Sequence, residues 1–447
     1  MKILFISLGC DKNLVDAEKM LGLLGKEGYA FTDNEEEADV IVVNTCCFIG
    51  DAKEESINTI LEMAQYKEEG QCRALIVTGC LAERYKDEIL QEIPEVDGIL
   101  GTSTYDEITS LLYAVLEEKK EHVSVFHDIN ALPRTTAGRM VTTGGHYAFL
   151  KIAEGCDKHC TYCIIPSLRG SYRSVPMEEL LKEAGELAAQ GVKELILVAQ
   201  ETTLYGMDLY GEKRLPLLLR KLAQIPGIQW IRIQYCYPEE ITDELIQVIK
   251  EEEKICHYLD MPIQHASDAV LKRMGRRTNQ QELRDIIGTL RREIPDIAIR
   301  TTLISGFPGE TGEDHEELME FVNEMEFERL GVFAYSCEED TPAALLPDQI
   351  PQELKEERRD AIMELQQEIA FEKSEAMVGR VLDVMIEGKV ADEAAYVGRT
   401  YMDSPNVDGL IFVNADLELM SGDFVRVKVT GAVEYDLMGE VYDEFTE

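Results

Sequence analysis

The sequence has no apolar run long enough to cross a membrane, and it has few basic residues. Residues 1–5 lead directly into a predicted strand, with no basic targeting segment and no cleavage site. These absences argue against a membrane or secreted protein, so we expect a cytoplasmic one. The 44 lysines and arginines face 86 acidic residues, which gives a formal charge of −42. This charge disfavours stable binding to nucleic acid and suits a basic partner, unless it serves only solubility.

The length and the cysteine content indicate the number of domains and the chemistry of the thiols. A chain of 447 residues with 45% hydrophobic residues should fold into two or three domains with substantial cores. In a reducing compartment, its eleven cysteines favour metal ligation over disulfides.

Three of these cysteines lie on one short loop, after a strand predicted at residues 147–153. Cys156, Cys160 and Cys163 are separated by three and then two residues, so the loop can turn three thiolates toward one point. A closed zinc site or a fully ligated cubane uses four protein ligands, and this loop supplies three. A [4Fe–4S] cluster held by three cysteines keeps one iron without a protein ligand. A zinc knuckle that uses His159 and a disulfide loop are the alternatives.

This spacing, together with the aromatic Tyr162, resembles the signature of the radical S-adenosylmethionine superfamily. The resemblance implies that the open iron binds the amino and carboxylate groups of S-adenosylmethionine. It also implies that the reduced cluster cleaves this cofactor to a 5′-deoxyadenosyl radical.

Three further cysteines each follow an apolar run near the start of the chain. The runs at 2–9, 39–45 and 73–79 end at Cys10, Cys46 and Cys80, with helices predicted at 16–25, 52–66 and 82–93. Alternating strands and helices predict a parallel sheet, whose carboxyl ends bring the three thiols to one edge. Helix N-termini just beyond them would suit an anionic cluster, although cysteines also serve as small core residues. Cys47 could replace Cys46, but strand alternation points it to the opposite face. The cysteines treated as structural are Cys72, Cys236, Cys256 and Cys337.

An N-terminal domain with three separated cysteines followed by a radical S-adenosylmethionine motif resembles the methylthiotransferase family. Residues 7–18 are similar to the RimO branch, which usually reads Leu-Gly-Cys-x-Lys-Asn, whereas the MiaB branch usually has Tyr-Gly-Cys-Gln-Met-Asn. The chain departs from the RimO pattern at Ala17, where serine is common. The RimO branch modifies an aspartate of ribosomal small-subunit protein S twelve.

The middle of the chain is predicted to be an incomplete (β/α)6 barrel, and the resemblance implies the same fold. Its candidate strands are at 147–153, 194–199, 230–234, 258–262, 298–305 and 331–335. Turn-forming residues at 133–139 and 142–145 place a linker at 131–145. The predicted domains are therefore an N-terminal parallel α/β domain at 1–130, the radical S-adenosylmethionine domain at 146–376 and a C-terminal module at 377–447.

Polar groups on the loops after these strands are candidate contacts of S-adenosylmethionine. The segment 200–203 lies where the superfamily binds the methionine amino group, 303–310 resembles its glycine-containing segment, and 261–265 lies near the expected ribose site. Each has an alternative interpretation as a turn or a surface residue, and His265 is interpreted as a supporting residue. No side chain is assigned as a general acid or base. The candidate contacts are Tyr162, Gln200, Glu201, Thr202, Gln264, Arg300, Ser305 and Gly306.

The C-terminal module follows a long helix predicted at 351–377. Five short runs, at 381–386, 396–401, 410–413, 425–429 and 437–441, predict five antiparallel strands that close a small barrel. This pattern is similar to the OB-like TRAM domain, and residues 397–409 resemble its RimO version. Residues 376–447 hold five basic and fifteen acidic side chains, which argues against RNA binding and for docking of a basic protein.

The resemblance implies a methylthiotransferase that runs two S-adenosylmethionine-dependent half reactions. Cys156, Cys160 and Cys163 would hold a reducing [4Fe–4S] cluster, and the three N-terminal cysteines an auxiliary one that carries the sulfur. The partners would be the basic ribosomal protein and an electron donor such as flavodoxin or ferredoxin. The alternatives are a MiaB-like tRNA adenosine methylthiotransferase and a non-enzymatic iron–sulfur or zinc protein.

Overall fold

The computed structural model describes residues 1–133, 138–391 and 394–442. Residues 134–137 of the predicted linker lie outside the described residues, and the domain boundaries at 130, 145 and 376 stay predictions. None of the helices described is both long enough and apolar enough to pass through a bilayer.

The first domain is a parallel six-stranded sheet with helices on both faces, in the order β2-β1-β3-β4-β5-β6. Its central strands are buried along their whole length, which explains their continuous apolar runs. Its elements are β1 Lys2–Ser7, α1 Asp11–Lys26, β2 Ala30–Phe31, β3 Val40–Thr45, α2 Gly50–Glu69, β4 Ala74–Gly79, α3 Cys80–Glu92, β5 Gly98–Leu100, α4 Ile108–Leu116 and β6 Val123–Val125.

The sequence pattern misplaced one helix start and missed three strands in this domain. The helix predicted from residue 16 begins at Asp11, directly after Cys10, because its first turn is polar and carries no apolar period. The strands β2, β5 and β6 have only two or three residues each, too few to show alternation.

The middle of the chain is an open parallel sheet of six strands, in the order β14-β13-β12-β11-β10-β7, as the partial barrel required. Helices pack on its outer face, and the last of them, α13, covers the edge strand β14. Its elements are β7 Tyr147–Lys151, β8 Ala153–Glu154, α5 Ile165–Arg169, β9 Arg173–Ser174, α6 Met177–Ala189, β10 Glu194–Val198, α7 Met207–Tyr210, α8 Leu215–Ala223, β11 Trp230–Ile233, α9 Asp243–Glu251, β12 Ile255–Asp260, α10 Asp268–Arg273, α11 Gln280–Glu293, β13 Ala298–Ser305, α12 Gly312–Met325, β14 Arg329–Ala334 and α13 Gln352–Glu375.

The C-terminal module is a closed five-stranded barrel, in the order β15-β16-β17-β19-β18. Its strands are β15 Val381–Lys389, β16 Ala395–Arg399, β17 Ile411–Asn414, β18 Phe424–Val433 and β19 Asp436–Val441. The prediction that all its strands are antiparallel was wrong for one pair, because β17 and β19 run parallel. An odd number of strands in a closed ring cannot alternate direction throughout, so one neighbouring pair must be parallel.

The two outer domains pack against opposite ends of the central sheet. At the amino ends of its strands, Glu194 of β10 lies between Arg232 of β11 and Arg399 of β16, with nitrogen–oxygen distances of 2.7 and 2.6 Å. Burial alone would raise the pKa of Glu194, but the two guanidinium groups hold it below its ordinary value. At the carboxyl ends, Lys151 of β7 contacts Asp16 of α1. The mouth of the partial barrel therefore faces the cysteine-bearing edge of the first domain.

Candidate active site

The first set of thiols lies where three neighbouring strands end. Cys10 follows β1, Cys46 follows β3, and Cys80 opens α3 directly after β4. A Cβ atom at Gly9 would lie 2.6 Å from Cys46 Cβ and 2.9 Å from its Sγ, so the first two loops pack tightly together. Burial raises the pKa of Cys46 to about 12, and the neighbouring Cys80 and Cys10 add to this shift. Thiols in such surroundings become thiolates when a metal takes the place of the proton.

Polar side chains of α1 and α5 connect these strand ends. The Asn13 amide donates to the carbonyl oxygens of Leu8 at 2.7 Å and Thr45 at 3.1 Å, which ties the first two cysteine loops together. Arg169 Nη2 lies 2.9 Å from Asn13 Oδ1 and 3.5 Å from Cys80 Sγ. No sequence pattern predicted a role for Arg169, because nothing local marks a buried arginine.

The second set of thiols lies on the loop between β8 and α5. The Cys163 N–H donates to Cys160 O at 3.0 Å, and the Cys156 N–H donates to Gly170 O at 3.1 Å. Gly155 has φ +82° and packs against backbone oxygens, so the loop has no room for a side chain there. Burial raises the pKa of Cys156 to about 11 and that of Cys163 to about 12.

The donor chemistry of both sets fits iron–sulfur clusters, which thiolates bind through separate iron atoms. Within the described residues, no three His, Cys, Asp or Glu side chains are arranged around a single metal ion. The ring of Tyr162 packs edge-on against Phe307, with centroids 6.4 Å apart, and the Tyr237 hydroxyl lies 3.7 Å from Cys160 Sγ.

A buried acidic cluster lies at the carboxyl end of β10. Glu201 is fully buried and its Oε1 accepts the Thr203 N–H at 2.8 Å, whereas its Oε2 has no hydrogen-bond partner among the described residues. Lys158 Nζ lies 3.8 Å from this Oε2 and 3.0 Å from Glu239. Burial raises the pKa of Glu201 to about 7. An unsatisfied buried oxygen fits an ammonium ligand, the group that the sequence analysis assigned to this segment.

Two other predicted contacts on this segment bond to the protein itself. Gln200 accepts the Gly155 N–H at 2.9 Å and donates to Glu154 at 2.8 Å, so it braces the cysteine loop. The Thr202 N–H donates to Tyr235 O at 3.0 Å. Their roles as cofactor contacts stay predictions.

The predicted contacts on later loops have protein partners as well. Ser305 donates to Lys355 O at 2.8 Å, and the Gly306 N–H donates to Glu310 at 2.7 Å. Gln264 has φ +72° and pairs through its backbone with Leu303. These contacts shape the barrel mouth, and direct ligation of a cofactor by these side chains stays a prediction.

Arg300, a predicted cofactor contact, has two acidic partners that belong to the protein, so its contact with a cofactor stays a prediction. Its guanidinium lies 3.0 Å from Asp260 and 3.3 Å from Asp408 of the C-terminal module. His265 is buried, and its Nδ1 accepts the Ser267 N–H at 3.0 Å, which agrees with a supporting role.

A continuous chain of contacts joins the two sets of thiols. It runs from Cys80 to Arg169, from Arg169 Nη1 to Glu154 Oε2 at 3.2 Å, and through Gln200 to the amide beside Cys156. Asp16 of α1 also contacts Arg169, at 2.7 Å. The two thiol sets thus belong to one connected site between the first domain and the barrel mouth.

Family profiles match three parts of the chain. Residues 2–101 match "Uncharacterized protein family UPF0004", residues 150–322 match the Radical SAM superfamily and residues 378–441 match the TRAM domain.

Two solved structures share the fold: the radical S-adenosylmethionine methyltransferase TsrM from Kitasatospora setae and the cobalamin-dependent S-adenosylmethionine radical enzyme OxsB. For TsrM the TM-score is 0.55 at 14% identity, covering 74% of this chain and 72% of that one. For OxsB it is 0.52 at 12% identity, covering 81% and 56%. Fold and site thus define a radical S-adenosylmethionine enzyme with a C-terminal TRAM barrel.

Curated relatives make the family more specific. The chain is 66% identical to "Ribosomal protein uS12 methylthiotransferase RimO" of Lachnoclostridium phytofermentans, over 98% of this chain and 99% of the relative. It is 52% identical to the protein of the same name from Acetivibrio thermocellus and 50% to that from Clostridioides difficile, each over 99% of both chains. The chain therefore belongs to the RimO family of methylthiotransferases. It is an S-adenosylmethionine-dependent transferase, with S-adenosylmethionine and [4Fe–4S] clusters as its cofactors.

Proposed function

We propose that this chain adds a methylthio group to the β-carbon of an aspartate in uS12, the small-subunit protein S twelve named above. Cys156, Cys160 and Cys163 hold the reducing cluster, and the N-terminal set, Cys10, Cys46 and Cys80, holds the auxiliary cluster. When bound, the clusters and S-adenosylmethionine supply the sulfur, the methyl group and the radical chemistry of two half reactions. The remaining tasks, which are positioning and exclusion of water, belong to the protein.

The observation that carries this proposal is the connected site between the two thiol sets. The two clusters would act on the same aspartate, so the two thiol sets that would hold them must lie at one interface. The contacts from Cys80 through Arg169 and Glu154 to the loop of Cys156 provide that arrangement. Direct contacts also hold the relative position of the two domains.

The side chains near the second thiol set suit the binding of S-adenosylmethionine. The Oε2 of Glu201, which has no hydrogen-bond partner among the described residues, would accept a hydrogen bond from the cofactor ammonium, and Lys158 would keep this carboxylate in place. The aspartate C–H bond is not acidic enough for a side-chain base, so no general acid or base is required.

Charge favours a basic partner in the cytoplasm. Some charged side chains of the C-terminal module form ion pairs with the central partial barrel. These side chains are Arg399, Asp403 and Asp408. The excess of acidic over basic residues at 376–447 suits a basic ribosomal protein and disfavours stable nucleic-acid binding. A flavodoxin or a ferredoxin supplies the electron.

Mass spectrometry of uS12 from cells with and without this chain tests the proposal. The expected result is a methylthio group on one aspartate only when the chain is present. Purified protein reconstituted without oxygen should hold about eight irons, and Cys156→Ala about four. Modification of tRNA adenosine with unmodified uS12, or production of 5′-deoxyadenosine by Cys156→Ala, would contradict the proposal.

A further inference from the structure

One buried ammonium group between the first domain and the barrel mouth makes no ion pair with any described carboxylate. Lys12, the second residue of α1, is 6% exposed. In the part of the chain that the structure describes, no carboxylate oxygen lies within 4.0 Å of its Nζ. By contrast, the buried Lys151 and Lys158 contact two and three carboxylates, and Lys355 donates to a backbone carbonyl at 2.9 Å.

The ring of Tyr235 holds this ammonium in place. Lys12 Nζ lies 3.2 Å from the ring centre, and an aromatic face attracts a cation without neutralising it. Tyr235 lies two residues after β11 at the mouth of the partial barrel and has φ +61°, a costly conformation for a tyrosine. Hydrogen bonds of 3.0 Å from the Thr202 N–H to its carbonyl and from its own N–H to Asp260 enforce this conformation.

The surroundings of Lys12 leave its charge available beside the first thiol set. Cys10, two residues earlier in the chain, is exposed. The nearest acid in the chain is Asp11, whose Oδ2 lies 3.4 Å from the Tyr235 hydroxyl rather than in an ion pair with Lys12. A carboxylate that approaches Cys10 therefore meets a cation that has no carboxylate oxygen within 4.0 Å among the described residues, in a chain whose net charge is −42.

We infer that Lys12 binds the carboxylate of the substrate aspartate, an inference that rests on the proposed function. The β-carbon of aspartate is bonded directly to its carboxylate carbon, so fixing the carboxylate places the β-carbon beside the first thiol set. An ammonium–carboxylate contact away from bulk water is charge-assisted and poorly screened. The same contact selects an acid over the isosteric amide.

Binding measurements on the full chain, reconstituted anaerobically, test this role. The ligands are fluorescently labelled uS12 and uS12 in which the modified aspartate is replaced by asparagine. Because truncating one partner of a buried charge pair costs about 2 kcal/mol or more, wild type should bind the asparagine form at least ~30-fold more weakly. Lys12→Met should bind the aspartate form with a similar loss and no longer distinguish the two ligands. Lys19→Met is the control on the same helix, where Lys19 pairs with Glu183, and it should retain the discrimination.

A second variant and the iron content separate substrate binding from a structural role. Lys12→Arg keeps the cation and should keep the preference for aspartate, and Lys12→Met should still hold about eight irons. If Lys12→Met does not load iron, the test depends on wild type and Lys12→Arg. Both should bind the aspartate form of uS12 more tightly than the asparagine form. Equal binding of the two ligands by wild type, or full discrimination by Lys12→Met, overturns the role of Lys12. Complete failure of wild type to modify uS12 overturns the proposed function and this inference together.

Discussion

One buried arginine contributes to the docking of the C-terminal barrel, and its removal should loosen this module. Arg399 Nη2 lies 2.6 Å from Glu194, its Nε lies 2.6 Å from Glu387, and its Nη1 lies 2.9 Å from Asp403 O. Arg399→Met leaves the fully buried Glu194 with one cation instead of two. Removing one partner of a buried ion pair costs about 3–5 kcal/mol.

The only tryptophan of the chain reports on this interface. Trp230 is 8% exposed, and its ring centroid lies 4.8 Å from that of Phe424 in the C-terminal barrel. Urea unfolding followed by its fluorescence should move to lower urea in Arg399→Met. With a slope of about 2 kcal/mol per M, the expected shift is about 2 M.

Two further variants make the measurement specific. Arg399→Lys keeps the charge but cannot reach all three partners, so its loss should be intermediate. Arg284→Met removes an exposed pair with Glu324 on the outer helices and should cost less than about 1 kcal/mol. Stability of Arg399→Met within about 1 kcal/mol of wild type, with unchanged tryptophan emission, would refute the reasoning.

Three other changes test the site itself. Gly155→Ala places a side chain where backbone oxygens leave no room, so reconstituted protein should hold about four irons in an iron assay; about eight would contradict this. Arg169→Met leaves the two buried acidic partners of Arg169 with Lys151 as their only cation among the described residues. Urea unfolding should therefore show a free energy of unfolding that is lower by about 3–5 kcal/mol, and Arg169→Lys should restore part of it. Burial raises the pKa of Glu201 above its ordinary value of 4.5 to about 7, so its contribution to stability is present below pH 4.5 and lost as the pH rises through 7. Relative to Glu201→Gln, wild type should lose about 3 kcal/mol of unfolding free energy between pH 4.5 and 8; parallel pH profiles would contradict this.

The cysteine positions could be predicted from the sequence because they depend on local patterns. An apolar run ending at Cys10, Cys46 or Cys80 marks a strand end, and parallel strands bring their carboxyl ends to one edge. The loop with Cys156 carries its spacing in consecutive residues. The order of apolar runs also predicted the partial barrel and the C-terminal barrel. It did not predict the parallel pair β17 and β19, because that pairing forms only when the five strands close into a ring.

The amino-acid sequence by itself thus determined the fold class and the order of the domains, and it predicted that Cys10, Cys46 and Cys80 follow neighbouring strands, since these features depend on short-range periodicity and spacing. The role of the six thiols as cluster ligands stays a prediction. Only the tertiary structure decided which charges pair across domains. Arg169 meets Asp16, and Arg300 meets Asp408, across more than a hundred residues of chain. No local pattern encodes these partners, because a buried ion pair forms only where docking removes both groups from water together.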